Sequence, residues 1–146
     1  MKKEILAVLA IIVSFVLIQT VELGGWNGEE SRRLLVQADD VTFDEKLSES
    51  GEWVLVKFWA PWCEKCRELM PTVTEIAEER RELLTVITVN TDEATITTSR
   101  FGVRPIPCLV LLHDGREMDR MVGVYPKTVL LTWMDGWIAR ESAGTS

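Results

Sequence analysis

The chain has 146 residues and a formal net charge of −7, with 47% apolar and 27% charged residues. This length and composition fit one globular domain with a short additional segment, and they exclude a multidomain or disordered protein. No basic stretch is dense enough to follow a phosphate backbone, so nucleic acid is not an expected partner. The single histidine excludes a multi-histidine metal site. The three cysteines are too few for a disulfide scaffold, so we first consider a chemical role for them.

An uncharged apolar segment, Ile5–Val21, follows Lys2 and Lys3 near the start of the chain. As a helix it would extend roughly 25 Å, at the low end of what a bilayer core requires. A buried core helix is disfavoured because the segment is apolar on every face. We therefore predict a membrane anchor or signal segment over residues 1–23 and a glycine-rich juxtamembrane linker over residues 24–32.

A retained anchor is favoured over a cleaved signal peptide, because residues 19–25 lack paired small residues at the recognition positions. Lys2 and Lys3 favour a cytoplasmic N-terminus. The sequence thus predicts a single-pass protein of the cytoplasmic membrane with its domain on the extracytoplasmic side. Cleavage would instead give a periplasmic or secreted protein.

The rest of the chain carries the periodic patterns of one folded domain. The first half is expected to contain a strand over 33–37, a helix with Phe43 and Leu47, a buried strand over 53–59, and an amphipathic helix with apolar residues from Cys66 to Ala77. The second half is expected to contain strands over 83–89 and 108–112, a short helix over 93–101 between them, and an antiparallel strand over 117–122. A closing helix follows, whose apolar stripe faces the core and consists of Leu130, Trp133, Met134, Trp137 and Ile138. Asp114 and Gly115 are typical of a two-residue hairpin turn. This order predicts an α/β domain over 33–141, with a central mixed β-sheet flanked by helices on both faces and a tail over 142–146.

Two cysteines, Cys63 and Cys66, lie where the buried strand passes into the amphipathic helix. Three residues apart in the first turn of a helix, their side chains are close enough to form a disulfide. Cys63 would occupy the helix N-terminus, where free N–H groups and the helix dipole favour the thiolate, while Cys66 falls on the buried stripe. One thiol can then attack a substrate disulfide, and the other can resolve the mixed disulfide.

Two other interpretations of the cysteine pair are weaker. A metal site would need further ligands, and the remaining soft candidates, Cys108 and His113, would lie on opposite faces of a strand. A purely structural disulfide would need no position at a strand-to-helix junction. Dithiol chemistry is therefore favoured, and no metal is expected.

Five landmarks in order resemble the thioredoxin family over about 110 residues, from Leu34 to Ala139. They are the run Val54–Cys63 with Cys66, Pro71 within the helix, the run Phe101–Pro107, Asp114 with Gly115, and Gly123 before the closing helix. The resemblance implies a thioredoxin-like fold and thiol–disulfide exchange without a cofactor.

The resemblance also implies roles for single residues. Cys63 would be the attacking cysteine, Cys66 the resolving cysteine, and Pro107 a cis-proline that faces them across the substrate groove. A cis bond would leave the backbone of Ile106 free to pair with an extended substrate segment, whereas the alternative is an ordinary loop with trans bonds. Trp62, beside the attacking cysteine, is expected on the rim that contacts substrate.

Lys57 stands where thioredoxins usually hold a buried acid that helps to move the proton of the resolving thiol. A protonated lysine cannot do this, although a desolvated lysine with a lowered pKa can. One expectation places its ammonium near the sulfurs, where it would stabilise the thiolate of Cys63 or Cys66 and make the disulfide a stronger oxidant. The other is that the side chain reaches solvent and only packs.

Two further departures lie close to the sulfurs. Glu64 and Lys65 replace the usual Gly-Pro between the cysteines, and their opposite charges act on the Cys63 thiolate in opposing directions. Cys108 follows the expected cis-proline, where many relatives carry threonine. It is either a small buried hydrophobe or an extra thiol within reach of Cys63 or Cys66.

These observations predict a membrane-tethered thiol–disulfide oxidoreductase that needs no cofactor. Its expected partners are protein thiols and disulfides, an unidentified redox partner, and the membrane through its N-terminal helix. The alternative from another class is a non-catalytic interaction module that uses the same fold, with the cysteines locked as a structural bridge. Reductant, oxidant and isomerase share this motif, so the direction of exchange stays open.

Overall fold

A computed structural model describes Met1, Ile5 and residues 34–144. The predicted anchor and linker, apart from Met1 and Ile5, lie outside the described residues, as do the last two residues of the chain. Contacts divide the chain into two units, Met1–Ser31 and Arg32–Ser146, and the second unit carries the fold given below. In the part of the chain that the structure describes, no helix is both long and apolar enough to cross a membrane.

Strands and helices alternate along the second unit and then end in a hairpin and a helix. The strands are β1 (Leu35–Ala38), β2 (Trp53–Trp59), β3 (Leu84–Asn90), β4 (Cys108–His113) and β5 (Arg116–Val122). The helices are α1 (Phe43–Glu49), α2 (Glu64–Glu79), α3 (Thr95–Arg100) and α4 (Lys127–Gly144). The predicted order of elements is therefore confirmed, with boundaries that differ by one to a few residues; α4 extends three residues beyond the predicted end of the domain.

The five strands form one mixed sheet in the order β1-β3-β2-β4-β5. β3 pairs in parallel with β1 and β2, while β4 pairs antiparallel with β2 and β5. β2 is the central strand, which explains why its predicted run of apolar residues is buried almost throughout. The turn between β4 and β5 has positive φ angles at Asp114 (49°) and Gly115 (72°), as the predicted hairpin turn requires.

Strand alternation divides the core into two layers. On one face, Trp53, Leu55 and Leu109 pack with residues of α2 and α4, among them Leu69 and Leu130. The other face buries a second cluster, made by strand residues together with α1 and the segments that flank α3: Phe43, Val54, Val56, Phe58, Ile87, Val89, Ala94, Val103, Cys108, Val110 and Leu112. The predicted architecture, with helices on both faces of the sheet, is confirmed.

The long helix α2 follows from its amphipathic pattern. The predicted apolar stripe is buried, with Cys66, Leu69, Val73 and Ile76 at 0% exposure. Pro71 lies inside the helix, as predicted, and the helix continues past it to Glu79. Fully burying one such side chain contributes about 1.5–3 kcal/mol, so the stripe holds α2 firmly on the sheet.

The tryptophans of α4 differ from the expectation of a simple core position. Trp133 and Trp137 are only half-buried, and the indole N–H of each donates a hydrogen bond to the same carboxylate oxygen of Asp119 on β5, at 2.9 and 3.0 Å. The fully buried residues of the stripe are Leu130 and Met134. The indoles therefore pack against the core while their N–H groups connect α4 to the edge strand.

The short helix α3 receives its N-terminal cap from a distant residue. Ala94 precedes the helix and offers no side-chain cap. Instead, the Asp40 carboxylate accepts hydrogen bonds from the backbone N–H groups of Ile96 at 3.0 Å and Thr97 at 2.7 Å. These bonds hold the pKa of Asp40 below its usual value, with the Thr97 bond as the main cause. The loop after β1 and the start of α3 are thus tied together.

Candidate active site

The two cysteines at the amino end of α2 form a disulfide, with Cα atoms 5.2 Å apart. Cys63 is the N-cap residue of α2, and its Sγ accepts a hydrogen bond from the Cys66 backbone N–H at 3.2 Å. β2 ends at Trp59, so the disulfide lies just beyond the carboxyl end of the central strand. The predicted placement at the strand-to-helix junction is therefore observed.

The two sulfur-bearing residues differ in exposure. Cys63 is 7% exposed and Cys66 is 0% exposed, and both pack with Ala60 in a small cluster that Trp59 and Ile106 border. Because an attacking thiolate must meet a substrate disulfide, the more accessible residue of the pair is the better nucleophile. The geometry favours Cys63 for attack and Cys66 for resolution.

The peptide bond between Ile106 and Pro107 is cis. The carbonyl oxygen of Pro107 accepts a hydrogen bond from the Gly123 backbone N–H at 2.9 Å, which ties this turn to the end of β5. The Ile106 side chain packs against the cluster of Cys63 and Cys66. The turn predicted to face the cysteines therefore lies beside them.

Trp62 is 69% exposed immediately before Cys63. Its indole N–H donates to the carboxylate of Asp92, at 3.0 Å from one oxygen and 3.3 Å from the other. Asp92 was missed by the sequence analysis, although its position two residues after the parallel strand β3 places it at the same sheet edge as the cysteines. A large apolar surface is thus held in an oriented position beside the disulfide.

Lys57 is completely buried, at 0% exposure, so the alternative in which its side chain reaches solvent is wrong. Its ammonium donates to the Cys66 carbonyl oxygen at 2.9 Å and contacts Met70 Sδ at 3.3 Å. Because α2 covers this face of the sheet, the amine finds its polar partners inside the protein. Burial, which disfavours the charged form, lowers the pKa of Lys57 from 10.5 to about 8.

The chain is similar to known proteins. The thioredoxin family model matches residues 34–136. Thioredoxin 1 of Synechococcus elongatus is 45% identical over 96 residues, which cover 66% of this chain and 90% of the relative. The thioredoxin of Synechocystis is 39% identical over 102 residues, covering 70% of this chain and 95% of the relative. The chain belongs to the thioredoxin family.

A solved structure agrees with this assignment. A mutant thioredoxin from Halobacterium salinarum has a TM-score of 0.64 and 28% identity, covering 70% of this chain and 88% of the other. With the cysteine pair of the thioredoxins in place, the protein is a thiol–disulfide oxidoreductase. The enzymatic interpretation of the sequence is thereby confirmed.

The third cysteine of this thioredoxin-family protein lies apart from the pair. Cys108 is free and buried, and it belongs to the core layer around Phe58 rather than to the cluster of Cys63 and Cys66. Burial raises the pKa of the Cys108 thiol. A protonated thiol in an apolar layer fits the interpretation as a small buried hydrophobe.

The two residues between the cysteines, Glu64 and Lys65, are exposed on the first turn of α2. Their charges therefore lie in water, where they are screened. Among the described residues, no three His, Cys, Asp or Glu side chains are grouped so as to hold a metal ion. His113, one of the soft candidates, stacks on Trp53 with ring centroids 4.4 Å apart.

Proposed function

We propose that this protein is a membrane-tethered thiol–disulfide oxidoreductase that exchanges disulfides with other proteins on the extracytoplasmic side of the cytoplasmic membrane. The observation that carries the exchange chemistry is the Cys63–Cys66 disulfide at the N-terminus of α2. Tethering and export are supported by the sequence alone, through the uncharged segment Ile5–Val21 behind two lysines.

The site supports exchange in two steps. In the reduced protein, the N-terminus of α2 favours the thiolate of Cys63, and this thiolate attacks a sulfur of the substrate disulfide. One substrate sulfur leaves with the electron pair, and a mixed disulfide with Cys63 remains. Cys66 then attacks Cys63 Sγ, the second substrate sulfur leaves, and the protein is oxidised by two electrons. An oxidising protein runs the same steps in reverse.

The surfaces that flank the disulfide fit a polypeptide substrate. Trp62 offers an exposed indole on one side, and the turn at Ile106 and Pro107 lies against the cysteine cluster. An extended substrate segment can pack on the indole and pair with the backbone at Ile106. Protein disulfides are therefore the proposed substrates.

Insulin reduction in the presence of dithiothreitol tests the exchange activity. The wild-type chain should accelerate precipitation of the reduced insulin chains, and Cys63→Ser should lose this acceleration. Cys108→Ala is the matched control, because it removes the cysteine that lies outside the site and should keep the activity. Equal rates for wild type and Cys63→Ser would disprove catalysis by this pair.

Topology is tested separately in cells. Protease added to intact spheroplasts should digest the domain, and N-terminal sequencing of the native protein should find residues that precede Val21. A soluble mature chain that begins near Gly24 would show cleavage of a signal peptide. A domain that stays protected until the membrane is opened would refute export.

The direction of exchange depends on the reduction potential of the Cys63–Cys66 pair and on the redox partners available in the cell. Structural disulfides have reduction potentials below about −300 mV, and catalytic ones lie above this value. The potential of the Cys63–Cys66 couple, combined with its redox state trapped in intact cells, distinguishes a reductant from an oxidant. A mostly oxidised pair in the cell would identify an oxidant, whereas a mostly reduced pair would restrict the role to reductant or isomerase.

A further inference from the structure

Lys57 is a buried cation without a buried anion beside it. Among the described residues, the hydrogen-bond partners of Nζ are the Cys66 carbonyl oxygen and the Met70 sulfur, and both are uncharged. An unpaired ammonium in an apolar layer is costly, and proteins retain such a group chiefly where it has a function. In the disulfide form, the positive charge of the Lys57 ammonium is therefore not balanced by a neighbouring negative charge, and an anion formed beside it would be stabilised.

The neighbouring elements offer few candidates for that charge. Thr88 on β3 and Leu109 on β4 are the register partners of Lys57, and neither ionises. Tyr125, in the segment before α4, is a half-buried neighbour of the same core layer. The carboxylates that face this layer or surround it have other partners or are exposed: Asp119 accepts from Trp133 and Trp137, Glu75 and Glu79 pair with Lys127, Asp135 pairs with Arg80, and Glu64, Glu68 and Glu78 are exposed.

The remaining ionisable groups of α2 on this side are the cysteines themselves. The contacts single out Cys66, because its own carbonyl oxygen accepts a hydrogen bond from Nζ and its side chain is as fully buried as that of Lys57. Cys63 lies one helical turn earlier, where the helix N-terminus and the Cys66 N–H already serve its sulfur. A Cys66 thiolate, formed after reduction of the disulfide, would therefore be a buried anion on the residue whose backbone already binds the Lys57 ammonium.

We propose that Lys57 is a positioning residue for the resolving step, because its ammonium compensates the Cys66 thiolate for as long as that thiolate exists and becomes free to release its proton when the disulfide forms. The inference rests on the exchange chemistry of the Cys63–Cys66 pair and is independent of export or tethering. In this proposal, the positive charge of Lys57 stabilises the Cys66 thiolate and so prepares the resolving thiol for attack.

In the mixed disulfide, Cys66 loses its proton to solvent and the thiolate pairs with the Lys57 ammonium. The thiolate attacks Cys63 Sγ, the Cys63–Cys66 bond forms, and the bond between Cys63 and the substrate sulfur breaks. The substrate sulfur leaves with the electron pair and takes a proton from solvent. Lys57 is then left beside a neutral disulfide.

The change in charge has a consequence for Lys57 itself. In the disulfide form, burial lowers the pKa of Lys57 to about 8, since no anion opposes the cost of desolvation. In the dithiol form, a Cys66 thiolate would raise that pKa, because an opposite charge favours the ammonium. At alkaline pH, where the Cys66 thiolate has already lost its proton to solvent, oxidation therefore releases a proton from Lys57.

A disulfide reagent that releases a coloured thiol separates the two chemical steps. Reduced protein in a Cys108→Ala background reacts with dithiobis-nitrobenzoate, so that attack by Cys63 releases a first thionitrobenzoate and resolution by Cys66 releases a second. At neutral pH, Lys57→Met should slow the second release about tenfold or more and leave the first largely unchanged, because the Cys66 thiolate loses its charge partner. Near-ultraviolet circular dichroism checks that the variant is folded.

The matched control is Lys46→Met, which removes a partly exposed lysine on α1, the helix that covers the other face of the sheet. Its charge is screened by water, so both releases should proceed as in the wild type. A second release unchanged in Lys57→Met, or a slower first release alone, would overturn the proposal. Cys63→Ser tests the exchange chemistry independently, because without the attacking thiol the second release is lost and only a slow first release from the buried Cys66 remains.

A measurement on the unsubstituted chain tests the same idea if Lys57→Met does not fold. Nuclear magnetic resonance of the Lys57 side chain, in the full chain in detergent micelles, follows its protonation in the oxidised and reduced states. We expect titration near pH 8 in the disulfide form and at clearly higher pH in the dithiol form. Identical titration in the two states would refute charge compensation by Cys66.

Discussion

The two faces of the sheet bury different kinds of side chain, although both are packed by the same strands. The face covered by α2 and α4 contains a buried lysine, and a carboxylate held by two indoles lies at its border. The face covered by α1 and the α3 region is built from apolar side chains and one protonated thiol. Among the described residues, the buried charge that we propose to respond to the redox state therefore lies on the face that carries the disulfide.

Adjacent residues show the contrast most clearly. Lys57 and Phe58 follow each other on β2, and their register partners Leu109 and Cys108 follow each other on β4. One step along a strand reverses the face, so Lys57 points towards α2 while Cys108 lies in the opposite layer. Closeness in sequence to the cysteine motif or to the cis-proline therefore does not by itself give a residue a part in exchange.

The largest expected effect concerns the apolar face. Phe58→Ala should lower the free energy of unfolding by about 3–5 kcal/mol, because it leaves a cavity in a fully buried layer. Urea unfolding measures the loss. Turnover per folded molecule should stay near the wild-type value, and a selective loss of turnover would show that this layer does take part in exchange.

The next largest effect is expected on the face covered by α2 and α4, where Lys57 should make the free energy of unfolding depend on pH. Lys57 has a pKa of about 8 in the oxidised folded protein and 10.5 as its ordinary value, so between these pH values the unfolded chain binds a proton that the folded chain has lost. The stability of the oxidised protein should therefore rise with pH through this range, by up to about 3 kcal/mol. Urea unfolding at pH 7 and pH 10 measures the rise.

Lys57→Met should lack this increase, and the difference between the two proteins removes the contribution of other titrating groups. The substituted protein should also equal or exceed the wild type in stability at pH 7, because the cost of burying an ammonium is gone. An identical pH dependence in both proteins would mean that Lys57 does not titrate in this range.

A smaller effect is expected at the edge of the same face. Asp119→Asn should lower the free energy of unfolding by about 1–3 kcal/mol at neutral pH, since two indole N–H groups lose a charged acceptor. The Trp133 hydrogen bond is the main cause that lowers the pKa of Asp119. The wild type should thus lose this contribution as the pH falls below about 4 and through the folded pKa, because the unfolded chain takes up the proton first.

Thermal unfolding of Asp119→Asn can be compared with that of Asp135→Asn, which alters an ion pair at the surface of α4. The Asp135 side chain is 49% exposed, so its loss should cost less than about 1 kcal/mol. Equal losses in the two variants would show that the indole contacts contribute no more than a surface pair.

The smallest effect is expected at Cys108. Cys108→Ala should lower the free energy of unfolding by about 1 kcal/mol, a typical value for a single buried substitution. Insulin reduction should proceed at the wild-type rate, because the thiol lies outside the cysteine cluster. A marked fall in turnover would instead assign Cys108 a role as an additional exchange thiol.

Much of this architecture could be predicted from local patterns. The buried run over 53–59 and the stripe from Cys66 to Ala77 predicted β2 and α2, and the spacing of landmarks indicated the family and the position of the cis bond at Pro107. The face of Cys108 also follows from alternation with Val110 and Leu112. These features depend on near neighbours along the chain, which is why the sequence carries them.

The features that could not be predicted depend on contacts between distant segments. The position of the Lys57 ammonium depends on Met70 and on a carbonyl group of α2 that tertiary packing brings within reach. Trp62 finds Asp92, 30 residues later, only because two parallel strands end at the same edge. A long side chain has many possible end points, and no periodic pattern selects among them.

The distant cap of α3 implies an order of events during folding. The six residues Thr95–Arg100 are too few for a helix that is stable by itself, and the carboxylate that caps them comes from Asp40, 56 residues before Ile96. We therefore expect α3 to gain its stability after β1 and β3 have paired, because that contact has a high sequence separation and is slow to form. The turn between β3 and α3 contains Asp92, the residue that orients Trp62. We expect the Trp62–Asp92 contact to form late as well, because it joins segments that follow two different strands, and a refolding experiment that follows Trp62 should test this order.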